Sequence, residues 1–332
     1  MYYISHVNNA PLSSQTDGGC LYIRNFLLKH DLYPDTDADF TVCLYEDEDE
    51  EILIGTGSIY KNVLKYIAVD DSAQGTGAAA QIINELTYHA YYEGIKKLFL
   101  FTKPKNESMF RSLGFYTLAK TEYSLMMETD RCGLDKYLNS LEKPENPGVC
   151  GAIVANCNPM TLGHRYLFET AASLCDTLHI FILSEDRSFF PADVRYNIVK
   201  EETADIKNIY IHKSGDYMIS SATFPTYFIK DKANAENINA DLDLTLFGSK
   251  IAPYFGITKR FVGTEPFCPV THAYNQRMKI ILPEYDVEVC EIERKDGISA
   301  SLVRKFMQEK NFDEIKKLVP CATYRYIIEN YE

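Results

Sequence analysis

The first half of the chain mixes helical and extended patterns of apolar residues. Apolar positions recur at helical spacing over 19–30, 75–93 and 104–113, whereas short apolar runs bounded by turn residues are typical of strands. The strands predicted in this half are 40–45, 51–60, 63–69, 97–102, 115–119 and 122–128. Because helices and strands do not alternate strictly, the pattern indicates a mixed α/β domain.

The second half alternates strands with helices. The predicted strands are 150–155, 177–183, 208–212, 259–262 and 287–292. The predicted helices are 162–174, 192–203, 270–281 and 299–309, with further helical segments between 213 and 256 and in the tail. This alternation predicts right-handed βαβ units and a Rossmann-like domain with a parallel sheet, whose ligands bind beyond the carboxyl ends of the strands.

A cluster of helix and strand breakers separates the two halves. It is the run KPENPG at 143–148, which follows a predicted helix at 134–141. The length of 332 residues fits two domains, since a domain typically has ~100–200 residues. We therefore predict a first domain at 1–128, a linker helix and breaker at 129–147, and a second domain at 148–332.

Composition and charge exclude several classes of protein. Lys and Arg number 34 against 47 Asp and Glu, a net charge of −13, which argues against non-specific binding of nucleic acid. No apolar run approaches the ~20 residues of a membrane-spanning helix, and the N-terminus lacks a signal-peptide pattern. The nine cysteines are scattered and never in CxxC spacing, which favours free thiols in a reducing compartment. We expect a soluble, cytoplasmic protein without a structural metal site.

A polar segment after the predicted strand 150–155 opens the next helix. It reads NPMTLGH and contains Asn158, Pro159, Thr161, Gly163 and His164. A helix N-terminus offers unpaired N–H groups and the positive end of a dipole to an anion. The glycine permits close approach of a ligand to the backbone, and the histidine is a donor for a phosphate oxygen on which charge builds. Taken alone, this histidine also fits an ordinary surface residue.

A second segment of this kind follows the predicted strand 287–292. It reads GISASLVR and contains Ile298, Ser299, Ser301 and Arg304. Two hydroxyls in the first helical turn and an arginine one turn later form another candidate phosphate cradle. Taken alone, the pattern also fits an N-cap serine with a surface arginine.

Together, the two segments resemble the T-x-G-H and I-S-x-S-x-x-R motifs of the adenylyl-transferring nucleotidyltransferase superfamily, in the same order and context. The resemblance covers the second domain and implies that ATP binds there, with Mg²⁺ and without a tightly bound cofactor. It assigns the α-phosphate to Thr161 and His164. It assigns the β- and γ-phosphates to Ser299, Ser301 and Arg304, so that Thr161, His164 and Arg304 are the expected catalytic residues.

The same resemblance implies a wider ATP site. The loop Gly263-Thr264-Glu265-Pro266, after the predicted strand 259–262, lies where the superfamily contacts adenine and ribose. The further residues expected to bind ATP are Asn158, Pro159, Gly163, Gly263, Glu265 and Ile298.

Two other loops follow predicted strands of the second half. Arg187 and Arg195 flank a polar–aromatic segment and are each candidates to bind a phosphate, or a carboxylate such as that of acetate, through a bidentate fork. The alternative is a surface arginine that pairs with Asp193 or Glu201. The loop 220–227 is suited to shaping a small pocket, and it also fits a plain structural loop.

A glycine-rich turn joins the predicted strand 63–69 to the helix 75–93. Taken alone, it fits an ordinary strand–helix connection, but its spacing resembles the Q/R-x-x-G-x-G/A pyrophosphate loop of the GCN5-related acetyltransferases (GNAT). The segment from Asn106 to Phe115 resembles the N…LGF segment of that family. The resemblance implies a GNAT-like domain that binds a CoA-like group through backbone N–H groups. The residues it implies are Gln74, Gly75, Gly77, Ala78, Ala79 and Asn106.

One position departs from the acetyltransferase pattern. The tyrosine that often serves that family as general acid is replaced here by Phe110, and a phenyl ring cannot protonate a leaving thiolate. Tyr116 is close in sequence but misplaced. The departure favours a domain that binds a CoA-like group without performing ordinary acetyl transfer.

The order of the two domains resembles the citrate lyase ligase family, and the segment GTEPFCPVT at 263–271 agrees with it. This resemblance implies an AMP-forming acid–thiol ligase that activates acetate as acetyl-AMP and releases pyrophosphate. The implied partner is the acyl-carrier subunit of citrate lyase, whose CoA-derived prosthetic thiol becomes acetylated. Two alternatives stay open: an adenylyltransferase acting on a nicotinamide- or pantetheine-type phosphate, and a CoA-dependent acetyltransferase.

Overall fold

The computed structural model describes most of the chain, and the chain divides into two compact units. The described residues are 2–14, 20–47, 52–184, 188–218, 224–231, 234–265, 268–294 and 297–332. Unit 1 comprises Met1–Leu134 and Phe224–Ile238, and unit 2 comprises Asp135–Thr223 and Asn239–Glu332. Phe224–Ile238, which we call the return segment, therefore belongs to unit 1, although the sequence pattern places it within the second domain.

Unit 1 is a mixed α/β domain around a seven-stranded sheet of order β1-β2-β3-β4-β5-β7-β6. Its strands are β1 Tyr3–Ala10, β2 Ala38–Tyr45, β3 Leu53–Tyr60, β4 Val63–Val69, β5 Phe99–Thr102, β6 Tyr116–Lys120 and β7 Leu125–Glu128. Its helices are α1 Leu21–Lys29, α2 Ala78–Tyr92 and α3 Glu107–Ser112, and the short α4 Gly133–Asn139 spans the division between the units. The β4–β5 pair is parallel, while the other neighbouring pairs are antiparallel.

The core of unit 1 forms where α2 packs on the sheet. Ile82, Ile83 and Leu86 of this helix are buried against apolar side chains such as Val42 and Leu100. Removing this apolar surface from water stabilises the unit by about 25 cal/mol per Å². The helix is thereby fixed on the sheet, and its first turn lies next to the end of β4.

Unit 2 contains the predicted parallel sheet, which the structure confirms. The strands are β8 Cys150–Ala155, β9 Thr177–Ile182, β10 Ile209–Lys213, β11 Ile257–Gly263 and β12 Glu288–Ile292, in the order β10-β9-β8-β11-β12. The helices are α5 Leu162–Ser173, α6 Ala192–Glu202, α8 Ala252–Phe255, α9 Pro269–Ile281, α10 Ala300–Gln308, α11 Phe312–Leu318 and α12 Cys321–Tyr331, and α7 Ala235–Leu246 begins in the return segment and continues into unit 2. Strand order reverses between β8 and β11, so the expected ligand crevice lies beyond their carboxyl ends.

Several boundaries differ from the pattern-based prediction for local reasons. Helix α2 begins at Ala78 and not at residue 75, because Gly75 and Gly77 have φ angles of 77° and 91°. Strand β7 begins at Leu125, after a turn closed by the bond from Thr121 N to Ser124 O. None of the described helices has both the length and the apolar character needed to cross a membrane.

Candidate active site

The two polar segments singled out in the second domain meet in space. A Cβ built on Gly163, in the first turn of α5, would lie 3.5 Å from Ile298 Cγ2 and 3.6 Å from the Ile298 carbonyl oxygen. Arg304 of α10 also donates a hydrogen bond through Nη1 to the carbonyl oxygen of Asn158. The loops that follow β8 and β12 therefore form one site at the carboxyl edge of the sheet.

His164 is held at the start of α5 in a defined protonation state. Thr161 caps the helix, and its main-chain N–H donates to His164 Nδ1 at 3.1 Å. Burial and the nearby Arg294 guanidinium lower the pKa of His164 to about 4. The ring is therefore neutral at pH 7, and because Nδ1 accepts, the proton lies on Nε2. The geometry presents an uncharged N–H donor beside the helix N-terminus.

The start of α10 has a cap and a charged side chain. Ser299 Oγ accepts from Leu302 N at 3.1 Å, so this hydroxyl is the N-cap. Arg304 Nη2 donates to Ser301 Oγ at 3.0 Å, and partial burial lowers the pKa of Arg304 below its ordinary value. The arginine thus lies against Ser301 and the Asn158 carbonyl. The Ser299 hydroxyl accepts at the cap, and a hydroxyl that accepts can also donate its proton to an anion.

The loop after β11 is tied to the end of β12. Gly263 O accepts from Asn275 Nδ2 at 3.1 Å, and the Glu265 carboxylate accepts from Arg294 Nη1 and from Cys268 N. Arg294 N in turn donates to Thr264 Oγ1 at 3.0 Å. Pro266, also part of the predicted loop, lies outside the described residues.

Arg294 is a candidate functional residue that the sequence reasoning missed. It influences His164 electrostatically and binds Glu265, so it joins the α5 start to the loop after β11. The signal was available, because Arg294 follows β12 directly at the carboxyl edge, where ligands of parallel sheets bind.

The candidate residues of unit 1 surround one cavity of about 600 Å³. The cavity lies against the start of α2, where the positive φ angles of Gly75 and Gly77 turn the chain so that side-chain-free backbone faces open space. Asn106 is fixed by the bond from its Nδ2 to Thr102 Oγ1 at 2.8 Å. The predicted residues that line the cavity are Gln74, Gly75, Gly77, Ala78, Ala79 and Asn106.

Phe110 also lines this cavity. Its side chain is buried and contacts Phe115 with ring centroids 5.9 Å apart. Tyr116 is exposed on β6 and is not among the lining residues. Neither residue therefore supplies a phenolic hydroxyl at this position of the cavity wall.

Comparison with known proteins identifies the family. The sequence model of the citrate lyase ligase C-terminal domain matches residues 150–327, and that of an acetyltransferase (GNAT) domain matches residues 23–124. A citrate (pro-3S)-lyase ligase of Klebsiella pneumoniae is 40% identical over 317 residues, which cover 92% of each chain. The chain belongs to the citrate lyase ligase family. The corresponding ligase of Escherichia coli strain K12 is also 40% identical, over 92% of this chain and 89% of its own.

As a member of the citrate lyase ligase family, the chain is an enzyme of the ligase class, with a GNAT-like first domain and a nucleotidyltransferase-like second domain. A more distant relative matches a smaller part. The phosphopantetheine adenylyltransferase of Streptococcus uberis is 25% identical over 108 residues, which cover 31% of this chain and 65% of that protein.

In this family member, Arg195 is neither a surface residue nor an open anion-binding fork. Its side chain is 1% exposed. Nε donates to Phe190 O at 2.9 Å, and Nη1 donates to the carbonyl oxygens of Asn156 and Leu183 at 2.8 and 2.7 Å. Arg195 therefore holds the loops after β8 and β9, because buried carbonyl groups need donors. Arg187 lies outside the described residues.

Only part of the loop 220–227, which we predicted to shape a small pocket, lies among the described residues. Residues 220–223 lie outside the described part of the chain. Phe224 and Tyr227 belong to the return segment, and Tyr227 lines the cavity of unit 1. The loop therefore contributes to the pocket of the other domain, which local pattern alone could not indicate.

Proposed function

We propose that this ligase activates acetate with ATP and then acetylates a carrier thiol. The first half-reaction forms acetyl-AMP and pyrophosphate, and the second transfers the acetyl group to the CoA-derived prosthetic group of the citrate lyase acyl-carrier subunit. The observation that supports this most strongly is the neutral Nε2–H donor of His164, at a site where the two polar segments are joined by the bond from Arg304 to the Asn158 carbonyl oxygen.

The protonation state of His164 suits the first half-reaction. A carboxylate oxygen of acetate attacks the α-phosphorus, and the bond to the pyrophosphate oxygen breaks, so no proton has to be transferred. Acetate is already an anion at neutral pH. A neutral donor that stabilises the charge on an α-phosphate oxygen is therefore sufficient, and a general base is not required. Thr161 orients this donor through the cap that it forms with the ring.

Positive groups around the site suit the leaving pyrophosphate. Arg304 and the hydroxyls of Ser299 and Ser301 would together hold the β- and γ-phosphates, because one guanidinium group can donate two parallel hydrogen bonds to phosphate oxygens. The start of α10 adds the positive end of its helix dipole. Arg294 would add a second positive charge next to His164. Gly263 and Glu265 would contact the nucleoside.

Mg²⁺ would enter with ATP. The described residues contain no group of three or more His, Cys, Asp and Glu side chains with metal-ligand geometry. Mg²⁺ usually binds through substrate phosphates and one or two carboxylates and keeps several waters. An ion held mainly by the triphosphate would need no such group, and it would neutralise charge on the phosphate oxygens.

The cavity of unit 1 would hold the prosthetic arm in the second half-reaction. The thiol sulfur attacks the acetyl carbonyl carbon, AMP leaves, and the thiol proton is released. The bare backbone at the start of α2 suits a pyrophosphate, and Lys103 and Lys105 at the cavity add positive charge. Phe110 in place of a tyrosine disfavours acetyl transfer from acetyl-CoA to an amine.

Exchange of [³²P]pyrophosphate into ATP tests the proposal. We expect exchange with purified enzyme only when acetate is present, and acetylation of the carrier, seen by intact-protein mass, when the carrier is added. Exchange that depends on 4′-phosphopantetheine and ignores acetate would instead support the adenylyltransferase, which the similarity to the Streptococcus uberis protein favours.

A further inference from the structure

The cavity of unit 1 lies in a gap between β4 and β5. These parallel strands pair at Val63–Phe99 and Leu64–Leu100. Beyond those pairs, Tyr66 has a φ of 57°, and the register between β3 and β4 shifts. The later parts of both strands, 67–69 and 100–102, line the cavity. The gap therefore runs beside β4, from Tyr66 towards the glycine-rich turn.

The end of the gap near Tyr66 is closed by the return segment. The ring of Tyr227 packs against the ring of Tyr66 with centroids 4.8 Å apart. The Tyr227 hydroxyl donates to the carbonyl oxygen of Phe101 on β5 at 3.0 Å. This carbonyl lies just past the last β4–β5 pair, so a side chain supplies the donor that a continued strand pair would have supplied.

Main-chain bonds and charge fix this closure in place. Asp35 accepts from Thr226 N at 2.6 Å and from the Tyr66 hydroxyl at 2.8 Å. The buried Lys65 ammonium donates to the same carboxylate at 2.5 Å. Tyr33 N donates to Tyr227 O at 2.8 Å. With its main chain bonded on both sides of the ring, Tyr227 is a fixed part of the cavity and not a mobile side chain.

The two ends of the cavity therefore have opposite character. The turn end offers the α2 N-terminus, and Lys103 and Lys105 add positive charge to the cavity lining. Burial, with repulsion from Lys105, lowers the pKa of Lys103 below its ordinary value. The end near Tyr66 is aromatic, because Tyr227 packs there against Tyr66 and donates to the carbonyl oxygen of Phe101. This arrangement suits a ligand with a polyanionic head and a slim uncharged arm.

We propose that Tyr227 is the end wall of this cavity and sets the length of the arm that it accepts. A free thiol or a short acetyl thioester fits in front of the ring, whereas a longer acyl chain meets the wall. Tyr227 is thus a specificity-determining residue, and the proposal rests on the proposed arm-binding function of unit 1.

Calorimetric titration of the full-length enzyme with CoA, acetyl-CoA, butyryl-CoA and hexanoyl-CoA tests the wall. In wild type we expect hexanoyl-CoA to bind at least about tenfold more weakly than CoA, because a fixed ring rejects added methylenes. Tyr227→Ala should reduce that ratio to about twofold or less. Tyr227→Phe keeps the ring and should keep the ratio, and the exposed Tyr123→Ala is the distant control.

The outcomes separate this proposal from the one on which it rests. Binding of CoA with the same dependence on chain length in wild type and in folded Tyr227→Ala would overturn the wall and leave the arm site intact. Absence of CoA binding to wild type would overturn both. If thermal melting shows that Tyr227→Ala does not fold, Tyr227→Leu, which retains apolar packing with a shorter side chain, takes its place, and an unchanged ratio there rejects the wall.

Discussion

Helices α2 and α5 both begin close behind a strand, yet their first turns are built from different groups. Helix α2 starts after Gly77, whose left-handed φ of 91° and missing side chain leave bare backbone at the cavity. Helix α5 starts after Thr161, and the cap there includes the ring of His164. Backbone N–H groups and oriented side-chain donors can both stabilise charge on an anion, but only the α5 start adds a donor that belongs to a side chain. The role of the α5 donor can therefore be tested by removing one side chain, whereas the role of the α2 start can be tested only by changing the backbone turn.

The largest expected effect comes from removing the α5 donor. His164→Ala should fold and lower the rate of acetate-dependent pyrophosphate exchange by ~10²–10³, because one preorganised donor to the developing charge is lost. His164→Asn places an acceptor near the Nδ1 position and so retains the bond from Thr161 N, but it lacks the Nε2 donor. A wild-type exchange rate in His164→Asn would show that the ring serves only as a helix cap.

The pH profile of exchange sharpens the same point. Because the pKa of His164 is about 4, its charge does not change between pH 5.5 and 8. We therefore expect no inflection from this ring near pH 6.5, its ordinary value. An inflection that His164→Asn abolishes would mean that the ring titrates during turnover and that the neutral-donor role is wrong.

Arg304 provides the next largest expected effect. Arg304→Ala should weaken ATP binding and pyrophosphate exchange by roughly 10–100-fold, the range for a lost hydrogen bond to a charged group. Arg304→Lys keeps the charge and should recover part of the loss. Ser299→Ala should have a milder effect, chiefly through a cap worth about 1 kcal/mol. Unchanged ATP affinity and turnover in Arg304→Ala would show that Arg304 has only a structural role, through its bonds to the Asn158 carbonyl and to Ser301.

A smaller and more selective effect is expected at the bare helix start. Gly77→Val should leave pyrophosphate exchange intact and slow acetyl transfer to the carrier about tenfold. The reason is that a β-branched residue at positive φ costs about 1–3 kcal/mol of conformational energy, which the turn relieves by changing shape. Gly94→Val is the matched control, since Gly94 follows the other end of α2 with a φ of 75° and open space around it. Loss of exchange in a folded Gly77→Val would mean that the two sites are coupled.

The smallest effect at neutral pH concerns the buried histidine pair of unit 2, which should make the free energy of unfolding depend on pH. In unit 2, His179 Nδ1 lies 2.9 Å from His212 Nε2, and burial lowers their pKa values to about 4 and about 3. The unfolded chain takes up protons below about pH 6.5 while the folded pair stays neutral, so stability is full above that pH and falls as the pH drops towards 4. Denaturant unfolding of wild type and His179→Phe between pH 7 and 5 measures this, and equal pH dependence would contradict it.

The sequence predicted those parts of the molecule that local pattern determines. The strands of the parallel sheet and the starts of α5 and α10 follow from apolar periodicity and capping residues. The burial of Arg195 was not predicted, because it depends on which carbonyl groups the fold brings around the guanidinium group. The place of the return segment in unit 1 was not predicted either, because its contacts join residues such as Asp35 and Thr226, which are 191 positions apart.

The return segment also has a consequence for how the protein is made. The chain passes from one unit to the other at 134/135, at 223/224 and at 238/239. During synthesis at ~5–20 residues per second, Phe101 leaves the ribosome 126 residues before its later partner Tyr227, and Tyr66 leaves earlier still. The nascent first unit therefore spends several seconds or more with an open sheet gap and an exposed carbonyl at Phe101. Neither unit corresponds to a single contiguous stretch of the gene. A fragment that stops at residue 134 would therefore lack the return segment and retain the unfinished state permanently.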